Sequence, residues 1–388
     1  MSAPLDGVRV VDLSRVLAGP YATMLLADLG ADVIKVERPG EGDETRGWGP
    51  PFAGSEAAYY LSLNRSKRSI AVDLKHPDGR ALALDLCAGA NVVVENFRHG
   101  AAARLGLDFD SVRARNPRVV YCSITGFGRR EPRERAGYDF VAQAESGLMA
   151  ITGEPDGDPM KSGVAVVDVL TGAHAAIGIL AALHGGQAEH VEVSLIDSAF
   201  SGLVNVAQNA LVTGEEPARY GNAHASIVPY QPFRAADGWV AVAAANESLY
   251  ARLCGAVGRP ELATDERFAT NVARVRNRAE LVSLLEAAFA TRTADEWIAA
   301  LDEAGVPAGK IRGVHEALRE ARGFTTVEHP RAGRLDLVAS PFGLESPLPA
   351  PTPPPLLGEH TREILAELGL DDARIEELER SGVVAQAD

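Results

Sequence analysis

The sequence contains few cysteines, few basic residues for its length and no apolar run of the ~18 residues that a membrane span needs. Its three cysteines, Cys87, Cys122 and Cys254, lie far apart and form no CxxC pair. This spacing argues against a zinc site and a disulfide framework, and it favours a reducing cytoplasm. Lysine and arginine number 38 against 53 aspartates and glutamates, for a net charge of −15. Because no basic block is present, we expect neither nucleic acid nor an anionic membrane as a partner.

The start of the chain also lacks the basic segment and following apolar segment that mark a secretory signal, so we expect a cytoplasmic protein. What the chain does have is length, with 388 residues of which 46% are hydrophobic. Since a single core stops growing near roughly 250–300 residues, the length predicts two domains.

Strand and helix patterns alternate in the first half of the chain. Residues 8–13 and 32–37 are predicted strands on either side of a predicted helix at 21–29, which together make a βαβ unit. The alternation continues to residue 195. We therefore predict an α/β protein whose large domain is a Rossmann-like, doubly wound parallel sheet. Strands at 230–233 and 239–243 predict a second, smaller α/β domain.

The turn in the first βαβ unit argues against a dinucleotide-binding protein. Glu37 does end the second strand about twenty residues after the turn, where a ribose-binding acid would lie. However, the turn has only Gly19 of the three required glycines, and Pro20 removes an amide donor. A helix that begins with proline after a strand explains this turn without any ligand.

A local excess of basic residues accompanies the predicted strand ends. Cations at the carboxyl edge of a doubly wound sheet are suited to the phosphates of a nucleotide-like ligand, although each could instead be a solvated surface residue. These cations are Arg15, Lys35, Arg38, Arg46, Lys67, Arg68, Lys75, Arg98 and Arg104.

Asp168 follows an apolar segment and opens a predicted helix. Two interpretations are open: an N-cap that stabilises the helix by about 1 kcal/mol, and a carboxylate nucleophile beside the positive end of the helix. His224 lies in a segment of small residues, 221–226. It is either a structural or exposed histidine, or part of a mobile active-site lid.

Six segments, taken together, resemble the family III CoA-transferases in the same order over nearly the whole chain. They are DLSRVLAGP at 12–20, VIKVERPG at 33–40, VENF at 94–97, GYD at 137–139, DVLTG at 168–172 and LLGEHT at 356–361. The resemblance implies an interlocked homodimer, in which two chains, each closed into a ring by its two domains, are threaded through one another. It also implies that a CoA-binding large domain is formed by residues 1–200 and a return segment, 321–388. A linker, 201–227, and the small domain, 228–320, would lie between them.

The resemblance also assigns site residues by position. Asp168 matches the family's catalytic aspartate, and Asp139 falls where formyl-CoA transferases carry a glutamate near the chemistry. The loop 221–226 matches a glycine-rich lid, but it is poorer in glycine and carries His224. CoA and acyl-CoA are then substrates, and we expect neither a tightly bound cofactor nor a metal. The residues at CoA-lining positions are Leu17, Ala18, Arg38, Val72, Asp73, Leu74, Lys75, Asn96, Phe97, Arg98, Arg104 and Tyr138.

Departures from related subgroups narrow the expected reaction. Acyl-CoA racemases of the same superfamily have a histidine at the position of Tyr138 and a glutamate at that of Asn246, so proton exchange at the α-carbon is poorly supported here. The oxalate-specific transferases have a glutamine at the position of Leu17. The segments 43–52 and 223–231 resemble the succinyl-CoA:dicarboxylate (glutarate) transferases most. An acyl-CoA racemase and a catalytically silent CoA-binding protein remain the alternatives.

In such a transferase, Asp168 would carry first an acyl group as an anhydride and then CoA as a thioester. With a reference pKa of about 3.9 it would be ionised at neutral pH without a general base, and amides at the start of its helix would stabilise the oxyanions. Arg15 and Arg46 are predicted to bind the carboxylates of a dicarboxylic substrate. Asp139 and His224 are also predicted at the substrate site.

Overall fold

A computed structural model of the chain describes residues 2–128 and 135–387. The strands in these residues are β1 (Arg9–Asp12), β2 (Asp32–Glu37), β3 (Phe52–Ala53), β4 (Glu56–Ala57), β5 (Lys67–Val72), β6 (Val92–Glu95), β7 (Val120–Thr125), β8 (Glu189–Ser194), β9 (Tyr230–Arg234), β10 (Trp239–Ala243), β11 (Ala308–Lys310), β12 (Phe324–His329), β13 (Gly333–Val338) and β14 (Val384–Ala385). The α-helices are α1 (Ala18–Asp28), α2 (Ala58–Leu61), α3 (Pro77–Ala88), α4 (Ala101–Leu105), α5 (Phe109–Arg115), α6 (Asp139–Glu145), α7 (Leu148–Ile151), α8 (Val166–Gly185), α9 (Leu195–Gly202), α10 (Val204–Thr213), α11 (Glu247–Ala256), α12 (Asn271–Arg276), α13 (Arg278–Phe289), α14 (Ala294–Glu303), α15 (Val314–Glu320), α16 (Thr361–Glu367) and α17 (Asp372–Arg380). Short 3-10 helices lie at Glu44–Gly47 and Pro260–Ala263.

The large sheet has the strand order β14-β5-β2-β1-β6-β7-β8. All neighbouring strands in it are parallel except β14, which is antiparallel to β5. Counted along the chain, the parallel strands have the order 3-2-1-4-5-6 of a Rossmann-like, doubly wound sheet. The order reverses between β1 and β6, and ligands of such sheets bind at this switch point, outside the carboxyl ends of the strands. The predicted α/β fold with a parallel sheet is therefore confirmed.

The central strands bury their apolar residues almost completely because helices cover both faces of the sheet. Val10, Val11, Val33, Ile34 and Val93 are at most 1% exposed, as expected for parallel strands without a solvated face. One face packs on α1 and α8, and the other packs on α3, α5, α16 and α17. The packing on both faces fixes where the strand ends lie, and therefore where the loops that follow them begin.

The chain divides into two compact units. The first consists of Met1–Leu148, Lys161–Gly214 and Gly323–Asp388 and contains the large sheet; the second consists of Met149–Met160 and Glu215–Arg322 and contains an antiparallel sheet, β11-β10-β9. The second unit has its own core. In that core Phe233 and Phe289 stack with ring centroids 4.7 Å apart, and Trp297 donates its indole N–H to the Phe289 carbonyl at 2.7 Å.

The limits of these units differ from the predicted domain limits. Within the predicted linker, 201–227, residues 204–213 form α10 and belong to the first unit. Residues 149–160, which were predicted in the large domain, belong to the second unit. Several apolar residues of α10, such as Leu211 and Val212, are exposed. The helix therefore lacks the one-sided apolar pattern by which a sequence predicts a helix.

Candidate active site

A cavity of about 340 Å³ opens at the switch point of the large sheet. Its walls come mainly from the loops that follow β1, β6 and β7 and from the first turn of α8, and all of them belong to the first unit. These loops meet where the sheet topology predicts a ligand site. The lining residues are Arg15, Val16, Leu17, Ala18, Glu44, Asn96, Phe97, Arg98, His99, Ile124, Thr125, Gly126, Phe127, Gly128, Arg135, Ala136, Gly137, Tyr138, Asp168 and Leu195.

Asp168 lies in the first turn of α8, but it does not cap the helix. The N-cap position is Ala165, which makes no side-chain cap. The Asp139 carboxylate caps the helix instead, because its Oδ1 accepts the backbone N–H groups of Val167 at 2.8 Å and of Asp168 at 3.2 Å. The N-cap interpretation of Asp168 is therefore wrong. In the part of the chain that the structure describes, the Asp168 carboxylate accepts no hydrogen bond and lines the cavity.

Burial, together with the charge of the nearby Asp139 carboxylate, raises the pKa of Asp168 to about 7. This corrects the expectation of an ordinary, fully ionised aspartate. At neutral pH a large fraction of Asp168 is protonated in the free protein, while the ionised fraction is a stronger base than an exposed carboxylate. A carboxyl group with this pKa in a cavity is characteristic of a reactive site.

Gly172, one helical turn after Asp168, lets α8 approach the start of α1. A Cβ at this position would lie 2.6 Å from the Ala18 carbonyl oxygen and 3.3 Å from the Ala22 nitrogen, which is closer than atoms in contact allow. Only glycine fits here, so the two helices meet backbone to backbone. This contact places Asp168 beside the first residues of α1 at the edge of the cavity.

The loop between β1 and α1 is tied to the loop after β6. Asn96 accepts the Arg15 N–H through Oδ1 at 2.9 Å and donates through Nδ2 to the Arg15 carbonyl at 2.8 Å. The Asn96 side chain, at a predicted CoA-lining position, is thus bonded to backbone rather than free. The Arg15 guanidinium lines the cavity and pairs with the Glu44 carboxylate, and both side chains are about half exposed.

Two glycines shape the wall that follows β7. A Cβ on Gly126 would lie 2.7 Å from the Gly137 Cα, so two backbone segments cross here in direct contact. Beside this crossing, the Arg135 guanidinium lies over the Phe127 ring at 4.5 Å and pairs with Glu145. The sequence had indicated only a glycine-containing turn after this strand.

The structure brings together about half of the predicted site residues. Those that line the cavity are Arg15, Leu17, Ala18, Asn96, Phe97, Arg98, Tyr138 and Asp168. Arg38 and the segment 72–75 do not line it, but they follow the carboxyl ends of β2 and β5 at the same edge of the sheet. There Arg38 pairs with Glu41 at 2.7 Å, Val72 is fully buried and Lys75 donates its N–H to Asp73. Leu74 packs against the core and Arg104 lies in α4.

Arg46 does not line the cavity, which differs from its predicted role. Its Nε and Nη2 donate to the two Glu37 carboxylate oxygens at 2.8 and 2.7 Å. Nη2 also donates to the Tyr60 hydroxyl and the Pro355 carbonyl, and Nη1 lies 3.8 Å from Glu56. Each guanidinium nitrogen is therefore committed within the first unit, and Arg15 is the better placed of the two arginines to meet a substrate.

Three further cations of the predicted phosphate-binding group are also committed internally. Lys35 and Lys67 are fully buried and pair with Asp43 at 2.9 Å and with Asp12 at 3.2 Å. Arg68 forms ion pairs with Asp32, Glu363 and Glu367 on the outside of the same sheet. Strand position alone did not reveal this, because Lys35 meets a carboxylate from a loop and Lys67 meets one from β1, two strands away in the sheet.

The loop 221–226 belongs to the second unit and is held by residues of that unit. Arg278 donates through Nη2 to the carbonyls of His224 at 2.9 Å and Ala225 at 2.8 Å, and Asn271 donates to the Ser226 carbonyl at 2.8 Å. The His224 ring accepts the Ser226 N–H and lies 5.4 Å from the Tyr230 ring. Its part in a lid stays a prediction.

Tyr59 is a neighbour of the reactive carboxylates that the sequence did not indicate. Burial, together with the charges of Asp168, Asp139 and Asp43, raises the pKa of Tyr59 to about 12. The phenol therefore stays protonated at neutral pH and can donate a hydrogen bond. Its ring meets Trp48 edge to face, with centroids 5.2 Å apart. Two adjacent tyrosines in a short helix give no sequence signal for this position.

In residues 2–128 and 135–387, no three histidine, cysteine, aspartate or glutamate side chains are grouped to hold a metal ion. In the same residues, α8 is the one helix whose length and composition would allow it to cross a membrane. Core helices of globular proteins meet the same criteria, and this helix carries Asp168 in its first turn.

Together, the Rossmann-like sheet and the switch-point cavity define an α/β protein with a candidate ligand site, where the Asp168 carboxylate accepts no hydrogen bond from the described residues. The model of CoA-transferase family III matches residues 5–361, and the chain belongs to this family of transferase enzymes. It is 44% identical over 395 residues to the mouse succinyl-CoA:glutarate CoA-transferase, covering 99% of this chain and 91% of that protein. It is also 44% identical over 382 residues to the succinate–glutarate CoA-transferase of Agrobacterium fabrum, covering 94% of this chain and 96% of that protein.

Solved structures agree with the fold. A CAIB/BAIF family protein from Brucella suis has a TM-score of 0.83 at 44% identity, covering 95% of this chain and 100% of that one. A hypothetical protein from Mycobacterium tuberculosis has a TM-score of 0.82 at 34% identity, covering 93% and 99%. The predicted family resemblance is thereby confirmed.

Proposed function

We propose that this enzyme transfers CoA between succinyl-CoA and a dicarboxylic acid such as glutarate, with Asp168 as the covalent nucleophile. The observation that carries the mechanism is the Asp168 carboxylate, which lines the switch-point cavity without a hydrogen-bond donor from the described residues. The succinyl-CoA:glutarate CoA-transferases among the similar proteins support the choice of acids.

The first half-reaction begins when the ionised Asp168 attacks the thioester carbonyl of succinyl-CoA. The C–S bond breaks, CoA leaves as a thiolate, and an aspartyl–succinyl anhydride forms. The thiolate then attacks the Asp168 carbonyl of the anhydride, which releases succinate and leaves CoA joined to Asp168 as a thioester. The acceptor carboxylate attacks this thioester, and the same steps in reverse deliver its acyl-CoA and restore the Asp168 carboxylate.

The oxyanions of these steps need donors other than the first amides of α8. Those of Val167 and Asp168 already donate to Asp139, so the expectation that they stabilise the oxyanions is revised. The start of α1 is the alternative, because its N-cap residue, Leu17, makes no side-chain cap and lines the cavity together with Ala18. The positive end of this helix stabilises negative charge that develops beside it.

The sheet edge provides a path for the rest of CoA. Arg98 lines the cavity, and Arg38 and Lys75 follow the carboxyl ends of β2 and β5 at the same edge. These cations can meet the phosphates of a long, anionic ligand that extends along the edge from Asp168. We propose CoA as a substrate that exchanges during turnover, with no resident cofactor, and we propose that the enzyme acts in the cytoplasm, where its buried free thiols, Cys87, Cys122 and Cys254, remain reduced.

Arg15 is the residue that we assign to the distal carboxylate of the dicarboxylic acid. Its guanidinium is half exposed at the cavity and already holds one carboxylate, that of Glu44. A substrate carboxylate can take the place of Glu44, which remains free to turn to solvent. Such an arginine favours dicarboxylic acids, because an acid that lacks the second carboxylate makes no ion pair with the guanidinium.

We expect the wild type to convert succinyl-CoA and glutarate to glutaryl-CoA and succinate, and Arg15→Gln to raise the KM for glutarate by about 30-fold or more. The KM for pentanoate, the monocarboxylate of equal length, should change by less than about threefold, since it lacks the carboxylate that Arg15 binds. Initial rates measured by mass spectrometry of the acyl-CoA products give both values.

Arg38→Gln is the matched control, because Arg38 is an exposed arginine at the same sheet edge that does not line the cavity. Any effect of that change acts through CoA and should therefore be equal for the two acids. Equal effects of Arg15→Gln on glutarate and pentanoate would remove the assignment of Arg15. Formation of free CoA without glutaryl-CoA by the wild type would contradict the proposed transfer itself.

We also propose that the enzyme is a homodimer of interlocked rings. About a third of the apolar window of α8 is buried within the chain, although most of the helix is apolar. Apolar side chains of α8 and α10 remain exposed, with Ile177 at 63%, Val204 at 67%, Leu211 at 80% and Val212 at 75%. A surface of this kind is unusual on a monomer and fits a large interface with a second copy.

Interlocked rings cannot separate without unfolding, so two differently tagged preparations should not exchange subunits in native buffer. After denaturation and refolding of the mixture, mixed dimers should form in the statistical proportion. Native mass spectrometry of the mixtures measures both. Exchange within hours in native buffer would contradict interlocking, and a folded monomer in sedimentation at nanomolar concentration would contradict the dimer.

A further inference from the structure

Val16 has a backbone conformation that valine rarely adopts. Its φ is +70°, in the left-handed region where a β-branched side chain collides with the backbone. In the described residues, Ser66, Val204 and Arg322 are the other non-glycine positions with positive φ, and Val16 is the one that lines the cavity. Such a conformation persists only where the surrounding structure imposes it, and it often marks a functional site.

A fully buried ion pair contacts the backbone at this residue. Both carboxylate oxygens of Asp43 lie within 3.3 Å of the Val16 nitrogen and accept its N–H. Lys35 pairs with Asp43 at 2.9 Å and donates to the Ser14 carbonyl at 3.0 Å. One ammonium group therefore holds the loop on both sides of Arg15, directly at Ser14 and through Asp43 at Val16.

Asp43 is itself fixed in one orientation. Its Oδ1 accepts the Thr45 N–H at 3.0 Å and the Thr45 hydroxyl at 2.7 Å. Burial alone would raise the pKa of Asp43, but Lys35 and the Thr45 N–H lower it to about 2. The carboxylate therefore stays ionised across the working pH range, as an acceptor for Val16 must.

The opposite side of the loop is held by Asn96, which bonds both the N–H and the carbonyl of Arg15. The backbone between Ser14 and Val16 is thus fixed from the β2 side and from the β6 side. The Arg15 side chain and the residues that follow this backbone segment, Leu17 and Ala18, line the cavity. A relaxed Val16 would turn this segment away from the path that connects β1 to α1.

We propose that the buried Lys35–Asp43 pair is a positioning device that holds Val16 in its left-handed conformation and so sets Arg15 and the start of α1 for the transfer reaction. The inference rests on the proposed function for its kinetic readout. It adds two residues, neither of which touches substrate, to those that determine the reaction.

Lys35→Met removes the ammonium group and keeps the length of the side chain. We expect it to lower kcat/KM for glutarate by about 30-fold, since a shift of about 1 Å in positioned groups has an effect of this size. Glycine adopts positive φ without collision. Adding Val16→Gly to Lys35→Met should therefore raise kcat/KM by about fivefold or more, and the same should hold for the affinity for CoA measured by calorimetry.

Lys67→Met is the matched control. Lys67 is equally buried and pairs with Asp12; its hydrogen bonds go to Asp12, Pro20 and Asn64, and its charge reaches Asp43 only at longer range, without a hydrogen bond or ion pair among the described residues. Both lysine variants should lose thermal stability, and Val16→Gly should restore function to Lys35→Met alone. If Val16→Gly fails to raise the kcat/KM or CoA affinity of Lys35→Met, or raises those of Lys67→Met equally, the inference is overturned.

If Lys35→Met does not fold, Thr45→Val provides the milder change, since it removes only the hydroxyl donor that orients Asp43. A loss of kcat/KM that Val16→Gly reverses supports the inference, and a loss that it leaves unchanged overturns it. A wild type that binds CoA but transfers it to no dicarboxylic acid contradicts the proposed function alone, because the pattern of CoA affinities among the variants still tests the positioning of the loop.

Discussion

Replacing Asp168 with asparagine is expected to lower the rate of CoA transfer by about 10⁴-fold or more, since no other group can carry the acyl and CoA intermediates. Asparagine has the same shape but is a far poorer nucleophile, and the change leaves Asp139 and its bonds to the α8 amides in place. Transfer is measured as exchange of labelled succinate into succinyl-CoA. A variant with a rate within tenfold of the wild type would contradict the mechanism.

The same change should stabilise the protein, in a manner that depends on pH. The pKa of Asp168 is about 7 in the folded protein and near 3.8 in the unfolded chain. Between these values the folded state holds the proton more tightly, so the contribution of Asp168 to stability falls as pH rises and is most unfavourable above pH 7. Asparagine removes that contribution. The free energy of unfolding should therefore rise by about 2–4 kcal/mol at pH 8 and change little at pH 4.

Urea unfolding of both proteins at pH 4 and pH 8 measures this difference. The two readouts for Asp168→Asn have opposite signs, with lost activity and gained stability, which is the signature of a group strained for function. A loss of stability at pH 8 would show that Asp168 holds the fold together, and would contradict the unpaired carboxylate that the structure describes.

Gly172→Ala should reduce kcat by about 100-fold, although Gly172 itself contacts no substrate. The added Cβ would lie 2.6 Å from the Ala18 carbonyl oxygen, a backbone atom that cannot rotate away. Helix α8 must retreat by about 1 Å, and Asp168 retreats with it, which is enough to disrupt a near-attack geometry. Stopped-flow or steady-state rates at saturating succinyl-CoA and glutarate check the value.

Gly185→Ala is the control in the same helix, because a Cβ there meets no atom within 4 Å. It should keep the wild-type kcat and add about 0.5–1 kcal/mol of stability, as alanine is the better helix former. If both variants retain full activity, the close contact between α1 and α8 does not set the position of Asp168.

Short strands bounded by turn residues were the most predictable elements. The limits of β2, Asp32–Glu37, and β10, Trp239–Ala243, agree with the sequence prediction to the residue. β2 is almost fully buried, whereas β10 alternates exposed and buried residues. In each strand the local pattern and the tertiary burial require the same extended conformation. Helix α17 was missed for the opposite reason. It is acidic overall, and only Ile375 and Leu378 mark its buried side.

The cap of α8 could not be read from the sequence. Local rules favour Asp168, which is in the first turn, but the acceptor is Asp139 from another helix, 29 residues earlier. The raised pKa of Asp168 follows from the same tertiary contact and from burial, and neither has a local signal. A resemblance by position named both aspartates without showing that one holds the helix and the other is left to react.

The roles of the buried cations were equally hidden. Lys35 and Lys67 lie on strands, where a lysine is usually exposed, and only the folded chain shows each one enclosed with an aspartate. Arg46 was predicted to bind substrate together with Arg15, yet its guanidinium is bonded to Glu37 and does not line the cavity. Charge type and position in the sequence predicted cations at this edge of the sheet, but not which of them are paired within the fold.

The strand order also has a consequence for synthesis of the protein. β5 is an interior strand only because Val384 of β14 pairs with its Val72, and the ribosome makes these residues about three hundred positions apart. Until β14 has been synthesised, one side of β5 has unpaired amides and carbonyls next to an apolar sheet, and such an edge is a template for aggregation. A nascent chain of this enzyme therefore has an open sheet edge through most of its translation, and that edge is covered only when its last residues emerge.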